Sequence, residues 1–92
     1  MTMRRIELEC PRVEAWSRLL AAADKVGKVE EAHEASYFLI VKGRYGLNPV
    51  RLRVSVLSGP TAATAVLEIQ GRGQDVWGVA SRKVIDRLSA AL

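Results

Sequence analysis

The chain has 92 residues, 49% of them hydrophobic and 26% charged, with 14 Lys and Arg against 10 Asp and Glu, which is the composition of one small globular domain. Its single cysteine excludes an intrachain disulfide, and with His33 the only histidine there is no zinc set of the Cys/His kind. No run approaches the ~20 apolar residues that cross a bilayer, and Met1 to Cys10 lacks the apolar stretch of a secretory signal, so a cytoplasmic protein without membrane insertion is expected.

Arg4 to Cys10 alternates, with Ile6, Leu8 and Cys10 on one side and Arg5, Glu7 and Glu9 on the other, which predicts a half-buried strand. Pro11 ends it and suits the first turn of a helix, where its missing N–H has no intrahelical partner. Val13, Trp16, Leu20 and Ala23 then recur at helical spacing, so a helix is expected from about Pro11 to Lys25, stopped near Gly27. The region from Lys28 to Arg44 is acidic first, with Glu30, Glu31 and Glu34, and apolar later, from Tyr37 to Val41. It is too long for one ordinary strand, and two strands that turn or bend near Ala35 and Ser36 are expected.

After a turn between Gly43 and Pro49, Val50, Leu52, Val54 and Val56 alternate with Arg51, Arg53 and Ser55, the cleanest strand pattern in the chain. Gly59-Pro60 makes the next turn, and Ala63, Ala65, Leu67 and Ile69 alternate with Thr64, Val66, Glu68 and Gln70. Gly71 and Gly73 are expected to end that strand, and Gln74-Asp75 to open a C-terminal helix with an apolar stripe of Trp77, Ala80, Val84, Leu88 and Ala91. Arg82, Lys83, Asp86 and Arg87 take its wet side. The order is β-α-β(3-4)-α, and the fold class is α+β: a single antiparallel sheet with two helices packed on one face.

The opening "IELECPRVEAWSRLLAAADKVGKVEE" and the ending "GRGQDVWGVASRKVIDRLSAAL" resemble the two ends of the helix-grip architecture of the SRPBCC superfamily, which includes START lipid-transfer domains. The same order resembles the TATA-binding-protein-like topology. The helix-grip resemblance implies apolar-ligand binding between helices and sheet, with Trp16, Leu20, Trp77 and Val84 facing the ligand. This chain is much shorter than the usual helix-grip domain, so the two indoles are expected to fill that space.

Several residues carry a chemical reading beside a plainer one. His33 lies among Glu30, Glu31 and Glu34, and a strand sets Glu31 and His33 on one face, a possible acid/base pair; a solvated acidic strand is the preferred reading. Cys10 precedes a helix N-terminus, which activates thiols, but falls on the buried side of its strand, where free cysteine packs as a small hydrophobe. Gly71-Arg72-Gly73-Gln74 has the flavour of an anion-binding loop, yet lacks the fuller glycine patterns of phosphate binders, and a strand-to-helix turn is preferred. No catalytic group, metal set or cofactor motif emerges, and the expected protein is not an enzyme.

The charge is localised. From Ala35 to Leu67 there is no Asp or Glu, while Lys42, Arg44, Arg51 and Arg53 all fall there; elsewhere 10 basic and 10 acidic residues cancel. Nucleic-acid binding through these four cations is one expectation, set against an ordinary solvated face. If Lys42 points outward, so do Phe38 and Ile40, joined by Val66, and exposed apolar groups rimmed by charge often mark an interface. The leading expectation is therefore a non-catalytic interaction protein that dimerises through the uncovered sheet around Phe38, Ile40 and Val66; a small apolar ligand and nucleic acid are the alternatives.

Overall fold

Alternation along the strands produces a sheet with two unlike faces, one apolar and one charged. The computed structural model describes residues 2–73 and 78–92. Its elements are β1 (Thr2–Leu8), α1 (Arg12–Val26), β2 (Lys28–His33), a 3-10 turn over Glu34–Ser36, β3 (Phe38–Tyr45), β4 (Asn48–Ser58), β5 (Ala65–Gly73) and α2 (Val79–Ala91). Among the described residues five strands form one sheet in the order β1-β5-β4-β3-β2, every neighbouring pair antiparallel. The expected α+β class and element order are met, with four strands following the first helix.

Leu39 and Val41 of β3, Val50, Leu52, Val54 and Val56 of β4, and Ala65, Leu67 and Ile69 of β5 form the apolar face. Both helices cover it. Ala15, Trp16, Leu19, Ala22 and Ala23 of α1 join Ala80, Val84, Ile85 and Leu88 of α2 in one core with these strand residues. The opposite face has no covering layer among the described residues.

Local chemistry explains the boundaries and corrects several expected ones. β1 ends at Leu8 rather than Cys10, although Cys10 is buried as the alternation predicts, at 4% exposure. Pro11 caps α1 in an extended conformation, and its carbonyl accepts the Ala15 N–H at 2.9 Å. The apolar face of α1 is rotated from the expected stripe: Val13 is 66% exposed, and Ala15, Leu19 and Ala22 take the core side. Ala15 and Ala22 weigh little in a hydrophobicity pattern, but their small side chains let the helix lie close to the sheet.

Gly27 stops α1 by packing. A Cβ there would lie 2.1 Å from the Lys42 carbonyl oxygen of β3, so only glycine lets the chain pass this close. The 3-10 turn sits where a bend near Ala35 and Ser36 is expected, and it closes through Tyr37 in the left-handed region, φ 52°. The Tyr37 ring meets Trp16 edge-on at 6.0 Å and lies under the Arg12 guanidinium at 4.2 Å.

β3 and β4 run on to a two-residue turn, Gly46-Leu47, with Tyr45 opposite Asn48. Gly46 has φ 63°, the positive value that tight hairpins place on glycine. Gly71 and Gly73 do not break β5, contrary to the sequence-based expectation; both pair with β4, opposite Leu52 and Val50. A glycine is tolerated at 71 because α2 comes down onto it, with Ser81 and Ile85 side chains within 3.3 Å of where a Cβ would stand. The expected helix start at Gln74-Asp75 and the placement of Trp77 lie outside the described residues.

Candidate functional site

The register of the open face brings together charges that are far apart in sequence. Lys28 pairs with Lys42 across β2 and β3, Lys42 with Arg51 across β3 and β4, and Arg51 with Arg72 across β4 and β5. Four cations thus form one continuous row over four strands, spanning about 14 Å at the usual strand spacing. Like charges directly opposite each other destabilise a sheet, so this row opposes the stability of the fold that displays it. Arg53 stands on the same face one step further along β4, and Arg44 follows Lys42 along β3.

A bulge in β2 places a carboxylate among them. Val29 pairs with Val41 but Glu31 already pairs with Ile40, so Glu30 is the extra residue. Val29 packs against the core, and the bulge restores Glu31 and His33 to the open side. Glu30 accepts hydrogen bonds from Arg51 Nε at 2.8 Å and Nη2 at 3.4 Å. The Arg51 hydrogen bonds, aided by the charges of Arg51, Lys42 and Lys28 and opposed by desolvation, hold its carboxyl below the ordinary glutamate value.

Beside the row lies a depression of about 190 Å³ lined by Ile40, Arg51, Arg53, Gln70 and Arg72. Arg53 pairs with both Ile40 and Gln70 in register, so the neutral lining residues sit one step along the strands from the cation row. The two arginines of β4 are oriented by different partners. Glu30 binds Arg51, while Arg53 places its guanidinium 4.9 Å from the Phe38 ring centroid. His33 stacks on Phe38 with centroids 4.5 Å apart and planes 18° from parallel, and its Nε2 lies 3.3 Å from Glu31 Oε1. Phe38 is therefore held between two neighbours rather than offered as a bare aromatic surface.

The expected site residues separate into three groups. Lys42, Arg51 and Arg53 converge with Lys28 and Arg72, which sequence reasoning missed; Arg44 lies toward the hairpin. Lys28 stands at the head of the acidic segment, and Arg72 lies between two glycines that signal a strand end, although period 2 continues from Glu68 through Gln70 to Arg72. Phe38, Ile40 and Val66 all occupy the open face, but Val66 pairs with Leu57 while Phe38 pairs with Ser55. Val66 is thus two strands away and offset along them, beside Leu57 at 38% exposure. Of the ligand-facing candidates, Trp16 and Val84 belong to the core, Leu20 packs partly buried against it, and Trp77 lies outside the described residues.

No protein-family model matches the chain, and no curated protein matches it. No described helix is long and apolar enough to cross a membrane. The fold is similar to the crystal structure of an uncharacterized protein from Bacillus thuringiensis, with a TM-score of 0.56 at 11% sequence identity over 98% of this chain and 91% of that one. At this identity the likeness is one of fold.

Proposed function

We propose that this is a non-catalytic binding protein that holds a polyanion, a nucleic acid, against the open face of its sheet through phosphate contacts. The observation that carries this reading is the cross-strand row Lys28, Lys42, Arg51 and Arg72. Mutual repulsion in that row is relieved when each cation meets a phosphate, and Arg53 and Arg44 extend the positive field to either side. The anion takes up the charge that Glu30 opposes in part.

Titration of a labelled single-stranded oligonucleotide at several salt concentrations tests it. Four phosphate contacts on a single strand give a slope of about −3 in log affinity against log salt. Arg51→Glu combined with Arg72→Glu is expected to reduce that slope to roughly half and to weaken binding well beyond tenfold. Wild-type affinity in this double variant, with circular dichroism showing it folded, overturns the proposal.

Self-association through Phe38, Ile40 and Val66 is the second reading, supported by the exposed Leu57 beside Val66. The cation row weighs against stacking two such faces, since it brings a large positive excess to both partners. A homodimer that sediments as such at micromolar concentration and dissociates on Phe38→Glu would reverse the order of the two readings. The helix-grip resemblance supports a third, an apolar ligand beside Trp16, Leu20 and Val84, for which native mass spectrometry of the purified chain should reveal a retained molecule. A reducing cytoplasm suits the buried free thiol of Cys10.

A further inference from the structure

We infer that the depression lined by Ile40 and Gln70 is a nucleobase subsite, so that the polyanion is a single-stranded nucleic acid with one base turned down into the sheet. This rests on the reading of the cation row as a phosphate site and adds what a phosphate site alone has no use for. A bare polyanion is held by cations. The depression instead combines an apolar side, Ile40, with Gln70 and the side chains of Arg51, Arg53 and Arg72.

These three kinds of group are what an unpaired base requires. Its faces pack on aliphatic surface and on arginine planes, and its edge seeks a donor and an acceptor together. A glutamine amide supplies both, whereas arginine and lysine only donate. The location fits the covalent structure of a nucleotide, because Arg51 and Arg72 belong both to the cation row and to the depression wall. A phosphate on the row therefore has its own base within reach of the depression.

The site is also built before a ligand arrives. Phe38 seats the Arg53 guanidinium, so less side-chain freedom remains to be lost on binding. Phe38 has its ring occupied by His33 and Arg53, which leaves the Ile40 depression, rather than the aromatic ring, to receive a base. A duplex cannot use it, since its base edges are already paired and its faces stacked.

The experiment compares two labelled strands of about 12 nucleotides, one of thymidine and one abasic, against the full chain at matched salt. The thymidine strand is expected to bind roughly tenfold tighter, the scale of one stacked base, with the same salt slope for both. Gln70→Leu and Ile40→Ala should each shrink that gap severalfold while leaving abasic binding unchanged. Equal affinity of wild-type protein for both strands overturns the subsite and leaves phosphate binding standing. A gap that persists undiminished in both variants also overturns it, because the base is then read elsewhere. Absence of binding to either strand overturns the subsite together with the proposed function.

Discussion

Glu30 accepts both hydrogen bonds of the Arg51 fork and stands in the field of Lys42 and Lys28, so it occupies the place a ligand phosphate would take on that arginine. Its carboxyl is held below the ordinary glutamate value. A depressed value in the folded state means that the pairing contributes stability above the unfolded-state value and loses it as pH falls through the lowered one. Glu30→Gln should therefore remove that acid-side loss from a pH series of denaturation curves. The same change releases Arg51, and oligonucleotide affinity at neutral pH should rise roughly two- to fivefold, the worth of an exposed ion pair. Weaker binding in Glu30→Gln would show instead that the carboxylate serves mainly to hold Arg51 in its binding pose.

The elements differ in how much of them is readable from the chain alone. The buried sides of β4 and β5 follow directly from alternation, because every second residue is aliphatic and the intervening ones are polar or charged for most of their length. The cation row is less legible. Arg51 and Arg53 are visible in one strand, but joining Lys28 to Lys42 requires the register of β2 on β3, which a one-residue bulge alters. Arg72 requires recognising that Gly71 continues a strand, and the reason is the approach of α2 rather than anything local to the glycine. Two glycines at close approaches make a matched test of such packing. Gly27→Ala drives a Cβ into the Lys42 backbone carbonyl, whereas Gly71→Ala meets the side chains of Leu52, Ser81 and Ile85 at 3.1 to 3.3 Å. In urea denaturation Gly27→Ala is expected to lose about 1–3 kcal/mol and Gly71→Ala less, since side chains yield where a strand backbone cannot; the reverse order would contradict the close approach of α1 to β3.

At the scale of the whole molecule, one sheet face holds the fold, and the other carries the proposed binding site. One face and both helices form a continuous apolar core among the described residues. The other carries the charge excess of the central strands. Hydrophobic burial can tolerate a row of opposed cations because each pair costs a fraction of a kcal/mol in water, small beside the aliphatic layer on the reverse side. Fold and site are thus only loosely coupled, and charge reversals in the row should change binding far more than they change the urea midpoint.

The row across β2 to β5 also makes dissolved salt act on the protein with two opposite signs. Ions that screen neighbouring cations lessen their repulsion in the free molecule, while the same ions compete with the protein for phosphate. Between low and moderate ionic strength the melting temperature of the unliganded chain should therefore climb as its hold on an oligonucleotide slackens. In Arg51→Glu with Arg72→Glu both trends should flatten together. Under the proposed function, the free protein is most frustrated under the conditions in which it would grip a polyanion best, and binding would relax it.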